Sequence, residues 1–198
     1  IGDDSSWADP DYDDSEWESI NPQLNKEDIK KLDWTGNIWF RNEIQVDSSL
    51  WNIVFGFNFF CTGAAEVYLN GKSLYKYGTV GTSPETEIAF VDMNPRHILF
   101  DRKEKQVLAV RYSNHSAEKL AKNNIQVGFT TILGDIEVFV YNRINTVREL
   151  SISQMAFGAF ILAFAIMHLL LFIFYPIAKE NLFYSISMFS FSVVIYTS

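Results

Sequence analysis

Residues 64–77, AAEVYLNGKSLYKY, decide the fold. Ala65, Val67 and Leu69 alternate with Glu66, Tyr68 and Asn70, the two-residue period of a strand with one face inward. Asn70-Gly71 follows, the strongest short signal for a two-residue hairpin turn, because both central positions of that turn need positive φ. Lys72–Tyr77 is then the returning strand. Outward from this hairpin the pattern repeats. In Ile38–Val46, Ile38, Phe40, Ile44 and Val46 share one face, and Trp39, Arg41, Glu43 and Gln45 the other. Asn52–Phe60 is nearly all apolar, as a strand buried on both faces would be. Further strands are expected at His97–Phe100, Gln106–Tyr112, Ile125–Ile132 and Ile136–Tyr141, with Gly, Asn, Asp and Ser clusters between them. Many short strands with turn signals predict a mainly β jelly-roll β-sandwich, with no long helix before residue 142.

The charges divide the chain into two polymers. Net charge is −8 over 198 residues, and mean hydropathy is +0.01. Residues 1–149 carry 23 acidic and 15 basic side chains, whereas residues 150–198 carry only Lys179 and Glu180. A net-acidic wet part argues against nucleic acid as a partner, since phosphate contacts need clustered Lys and Arg. The single cysteine, Cys61, excludes an internal disulfide and a multi-cysteine zinc site.

Met155–Tyr175, MAFGAFILAFAIMHLLLFIFY, is long enough to cross a bilayer, which takes about 20 apolar residues. The competing reading is a buried helix of a soluble protein. Pro176 stops the run, PIAKEN makes a short turn, and Leu182–Ser198 is a second apolar run at the lower edge of spanning length. The expectation is a transmembrane α-helical hairpin, the first two helices of a truncated membrane domain. The chain divides into a sandwich at 1–141, a helical connector at 142–153 and the membrane part at 154–198. From Asp135 to Phe157 there is neither Gly nor Pro. The connector therefore reads as stiff, unlike a Gly/Ser linker. Arg143 and Arg148 before the first span, against Lys179 after it, slightly favour the N-terminal part inside.

Candidate sites stand beside plainer readings. Asp3–Glu18 holds eight acidic residues and no basic one. Asp9, Asp11 and Asp13 are spaced like the start of an EF-hand loop, but Asp14 stands where Gly belongs and Ile20 where Glu belongs, so that loop fails. A calcium site of another kind stays open for this segment; the plain reading is an acidic surface with Trp7 and Trp17 packed inward. Trp34, Trp39 and Trp51, with Tyr75 and Tyr77, offer faces that suit the C–H side of a pyranose, and Arg41 or Asn70 can bond its hydroxyls. The ligand-binding set is Trp34, Trp39, Arg41, Tyr75 and Tyr77; aromatic filling of the sandwich is the alternative for each. His168, inside the first span, is a functional candidate by its depth or else a neutral imidazole bonded within the bundle. His97 and His115 have no partner at metal-ligand spacing. No cofactor, metal or catalytic set is expected, since GxSxG, HExxH and GxxxxGK[ST] are all missing.

Two resemblances follow from these residues. YDDSEWESI at 12–20, Trp34-Thr35-Gly36, Trp39-Phe40-Arg41, AAEVYLNGK at 64–72 and QVLAVRY at 106–112 occur in an order similar to the galactose-binding-like sandwiches of family 2 glycoside hydrolases. That resemblance covers about residues 5–115. It implies a fold and sugar binding, not hydrolysis, because the catalytic carboxylates of those enzymes lie in a domain this chain lacks. Gly158, His168–Phe172 and Lys179–Tyr184 resemble the start of bacterial seven-transmembrane receptors with diverse intracellular signalling modules. That family implies an extracytoplasmic sandwich, a bacterial inner-membrane location and a kinase, cyclase or phosphatase output; it outweighs the local charge count. The expected function is the sensory front end of such a receptor, binding a carbohydrate, another small molecule or a protein, in contact with lipid and able to form a homodimer. The alternative is a membrane-anchored carbohydrate-binding or adhesion protein without output.

Overall fold

The computed structural model describes residues 2–197. Eight strands form two four-stranded antiparallel sheets. In chain order they are β1 (Gln23–Leu24), β2 (Asn37–Gln45), β3 (Val54–Thr62), β4 (Ala64–Leu69), β5 (Lys72–Tyr77), β6 (Arg96–Leu99), β7 (Lys105–Ser113) and β8 (Val127–Asp135). One sheet has the order β1-β8-β3-β6 and the other β2-β7-β4-β5. Successive strands thus alternate between sheets, apart from the β4–β5 hairpin, which is the jelly-roll arrangement. Two short helices, α1 (Lys26–Lys31) and α2 (Ala117–Lys122), lie in the connections. Asn25 caps α1: its side chain accepts from the amides of Glu27 and Asp28, and Asp28 returns a bond to the Asn25 amide.

The hairpin forms as its sequence predicts. Asn70 and Gly71 have φ of 49° and 80°. The Asn70 side chain also accepts from the Val107 amide at 2.9 Å and donates to Asp101 and Gln106 at 2.9 and 2.6 Å. It is a structural knot between three strands' ends, with no donor left for a ligand. The core lies between the sheets, where Phe57, Phe59, Val67, Tyr77, Ile98, Val110 and Tyr112 are buried. The Tyr112 hydroxyl bonds the Thr62 carbonyl and accepts from Asn114 and from the Gly128 amide, so a deeply buried polar group is fully paired.

Each sheet has an outer face with a different cover. Outside β2-β7-β4, Trp39, Ala109 and Tyr68 are packed under Trp7, Ala8 and Trp17 of the N-terminal segment. Outside β3 and β8, Gly56 and Gly134 pair across the strands, and a Cβ on either would collide with the Phe139 ring. The expectation of a β3 buried on both faces holds only at this glycine pair; Val54 on the same face is exposed.

One predicted strand is corrected. Ile136–Tyr141 is the opening of helix α3 (Ile136–Phe174), which starts on the residue after β8 ends. Its β-branched and aromatic residues, IEVFVY, suit a strand, but no strand partners it. Asp135 caps the helix instead, its side chain accepting from the Glu137 amide at 2.7 Å. Phe139 takes the glycine seat.

The molecule divides into two compact units, one ending at Val140 and one starting at Tyr141. In the second, α3 and α4 (Glu180–Thr197) form an antiparallel hairpin. Gly158 and Ala165 face Ser185 and Ser192, and all four are buried. Ser192 donates to the Gly158 carbonyl at 3.1 Å, and Tyr196 donates to the Met155 carbonyl at 3.1 Å. Small residues let apolar helices approach this closely without an aqueous driving force. His168 meets Asn181 at 2.9 Å, so its imidazole is satisfied within the pair. Among the described residues, α3 is the one helix long and apolar enough to cross a membrane. Its 39 residues exceed the hydrocarbon thickness, about 30 Å at 1.5 Å per residue. Most of its apolar side chains are exposed, unlike those of a soluble core helix. The second expected span, α4, opens with Glu180 and Asn181 and is described as far as Thr197.

Candidate ligand-binding cleft

A cleft of about 730 Å³ opens along the free edge of β2. Strand β2 pairs only with β7, so its other edge faces the irregular stretch 14–22, which stands off rather than completing the sheet. One wall comprises Trp39, Phe40, Arg41 and Asn42 of β2. The floor reaches between the sheets to Val110 and Phe129. The N-terminal segment adds Trp7, Asp14, Glu16, Trp17 and Glu18, with Trp7 and Trp17 packed over the buried Trp39. The three tryptophans are set edge to face, Trp7 against Trp17 at 5.4 Å and 85°, and Trp7 against Trp39 at 6.3 Å and 89°. Such a wall presents rigid apolar faces at fixed angles.

Arg41 holds that wall in place. Its side chain is only 4% exposed. Nε donates to Asp14 at 2.8 Å, Nη1 to the carbonyls of Trp7 and Asp9 at 2.6 and 2.8 Å, and Nη2 to the carbonyl of Tyr12 at 3.3 Å. Four of its five N–H groups are therefore engaged. Next to it, Asp3 grips Arg111 with both oxygens at 2.6 and 2.5 Å. Arg111 also bonds Glu66 at 3.1 Å, and Glu66 accepts from Tyr68 and from Lys76. The Arg111 hydrogen bond holds the Asp3 carboxyl below its ordinary value. Burial pushes Glu66 up, but bonds from Lys76, Tyr68 and Arg111 outweigh it and its value also falls.

The five sequence-predicted binding residues fall in three places. Trp39 and Arg41 are on the cleft, but as structure. Trp39 is 4% exposed, with its indole N–H on Asp3 at 3.3 Å, and Arg41 is engaged as described. Neither is the open contact that the outward face of β2 suggested, because the N-terminal segment covers that face. Trp34 lines a separate cleft of about 590 Å³ with Gly36, His115 and Lys119. Its indole donates to the Asn114 carbonyl at 2.9 Å. Tyr75 and Tyr77 lie beside β6. Tyr77 is 1% exposed and belongs to the core, so it presents no surface to a ligand. The Tyr75 hydroxyl donates to the His97 carbonyl at 2.6 Å, and the Arg96 guanidinium lies over both rings at 4.7 and 4.6 Å. Trp51 also packs against the core.

Trp17, Asp14 and Glu16 are the cleft residues that sequence reasoning placed elsewhere. The signal was present in YDDSEWESI, where one tryptophan sits among carboxylates, but it reads equally as a surface segment with an inward anchor. Several acidic side chains close turns on their own backbone: Asp9 accepts from the Asp11 amide at 2.9 Å, and Asp13 from the Ser15 amide at 3.1 Å. Among the described residues no group of three His, Cys, Asp or Glu side chains could hold a metal ion. Burial raises the Cys61 thiol to about 12, which removes it as a nucleophile at neutral pH.

No protein-family model and no curated protein sequence matches the chain. Among solved structures, a calcium-binding mutant of Bacteroides uniformis beta-glucuronidase 2 is similar at 19% identity and a TM-score of 0.44, over 66% of this chain and 16% of that one. A beta-glucuronidase from glycoside hydrolase family 2 is similar at 19% identity and a TM-score of 0.40, over 57% and 12%. A Ruminococcus gnavus beta-glucuronidase in complex with a C6-substituted uronic isofagomine is similar at 18% identity and a TM-score of 0.34, over 47% and 15%. The chain thus spans a sixth or less of each of these proteins. On its own strand order and helix, it is a jelly-roll sandwich joined to a membrane-length helix.

Proposed function

We propose that this chain is the ligand-binding front end of a bacterial transmembrane receptor, with the sandwich on the extracytoplasmic side of the inner membrane. The sandwich binds a small carbohydrate in the β2-edge cleft. Binding alters the set of the strand β8 and helix α3 junction, and α3 carries that change toward a signalling output on the other side of the membrane. A ligand can shift such an equilibrium only by its difference in affinity for the two states. One observation supports the reading most: a cleft lined by the half-buried Trp7 and Trp17 belongs to a sandwich whose last strand becomes a membrane-length helix with no loop residue between.

The test uses the full chain in lipid nanodiscs. Intrinsic tryptophan fluorescence follows binding of glucose, galactose, glucosamine and glucuronate. A cysteine introduced at exposed Tyr141 and carrying an environment-sensitive dye follows the helix opening. Binding with a dye response supports the receptor reading. Binding without a response leaves a membrane-anchored carbohydrate-binding protein. No binding of any sugar overturns the carbohydrate ligand.

A further inference from the structure

We infer that the β2-edge cleft selects a positively charged sugar, one carrying a protonated amine, over neutral and acidic sugars. The inference rests on the carbohydrate reading of that cleft. The cleft's one cation is withdrawn: Arg41 is 4% exposed and bonded to Asp14 and to three backbone carbonyls, so it offers an anion almost nothing. The carboxylates are the opposite case. Glu16 and Glu18 are exposed on the cleft wall, and Asp14 gives Arg41 only its Oδ2. Glu18 is paired with Lys31, so the unbalanced negative charge of the wall is that of the exposed Glu16, beside the Asp14 oxygen that Arg41 does not engage.

The aromatic faces act in the same sense. An indole ring carries negative charge density on its face and attracts a cation placed over it. Trp7 and Trp17 stand nearly perpendicular on the wall that also carries Asp14 and Glu16. A pyranose laid on a tryptophan with its amine toward Glu16 meets both attractions at once. A uronate in the same pose turns its carboxylate toward Asp14 and Glu16. The cleft's volume of about 730 Å³ accommodates a mono- or disaccharide.

The experiment titrates the full chain in nanodiscs with glucosamine, glucose, N-acetylglucosamine and glucuronate at pH 6, following tryptophan fluorescence. An amine near the ordinary α-amino range, about 8, is protonated there. Glucosamine should bind at least tenfold more tightly than glucose and N-acetylglucosamine, with glucuronate weakest. Raising the pH to 9.5 should reduce that preference to less than threefold. Glu16→Gln, an exposed position, should lower the glucosamine-to-glucose ratio at pH 6 about fivefold. Equal binding of glucosamine and glucose, or preference for glucuronate, overturns the charge selection while leaving carbohydrate binding intact. No binding of any of the four overturns both.

Discussion

Arg41 on β2 and Asp14 in the N-terminal segment are joined by a 2.8 Å bond from Nε to Oδ2, spanning 27 positions of sequence. The same guanidinium bonds the carbonyls of Trp7, Asp9 and Tyr12, so one side chain fixes the path of the whole segment. Arg41→Ala should therefore cost about 3 kcal/mol, the range for removing a buried charge partner. Arg41→Lys should rescue little, since an ammonium cannot reproduce the planar fork. Asp14→Asn should cost about 1 kcal/mol, because the three carbonyl bonds remain. Urea unfolding and limited proteolysis around residues 7–14 check all three; an Arg41→Ala protein cut no faster there than the parent contradicts the staple.

Trp17 is half-buried and Trp39 buried. Trp17→Ala should lower stability by about 1–2 kcal/mol, less than the 3–5 kcal/mol typical of a buried tryptophan, and should abolish sugar binding. Trp39→Ala should cost the full range. Melting temperatures with and without ligand separate the two, and equal losses would contradict the placement of Trp17 on the cleft wall.

The glycine seat makes a steric prediction. Gly56→Ala and Gly134→Ala each drive a methyl into the Phe139 ring. Each should destabilise the sandwich by about 1–3 kcal/mol, the usual cost of overpacking. Phe139→Leu in the same chain should recover part of the loss. Amide exchange across residues 135–141 should quicken in the single variants and slow again in the double ones.

Acid should loosen the N-terminal segment before it unfolds the core. Asp3 and Glu66 both lie below their ordinary values, 3.8 and 4.5, in the folded chain. The unfolded chain thus takes up protons first as pH falls. Their contribution is complete above about pH 5 and is lost as pH drops through the lowered folded values. The melting temperature should be flat from pH 7 to 5 and fall below about 4.5. Asp3→Asn should shrink the Asp3 share of that dependence; an unaltered acid limb would contradict it.

The strands were largely legible because they obey a two-residue period over one buried core. Lys72–Tyr77 matches β5 at both ends, and the Asn70-Gly71 turn lies where its chemistry puts it. Ile136–Tyr141 misled because a short apolar run of β-branched and aromatic residues fits a strand and a helix segment alike. What separates the two is the lack of a neighbouring strand and the presence of the glycine pair, both tertiary facts. The site was less legible for a related reason. Periodicity puts Trp39 and Arg41 on one face and Tyr75 and Tyr77 on another, but it does not say which face a distant segment will cover. Trp39 is enclosed by residues some thirty positions earlier, and Tyr77 by the opposite sheet. The acidic turn that carries Trp17 has no period at all, so its role emerged only from its position against β2.

The Asp3–Arg111 grip joins residues 108 positions apart. Closing so long a loop is entropically slow, and contacts of this separation form late. Residues 3–17 emerge during synthesis well before β2 and β7, yet Arg41 and Arg111 must both be in place before the segment can dock. During that interval Trp7 and Trp17 are held in solvent, and the outer face bearing Trp39 and Tyr68 is bare. The tryptophan lining of the cleft is therefore assembled after the sheets that support it, and a nascent sandwich can be folded in its core before the cleft exists.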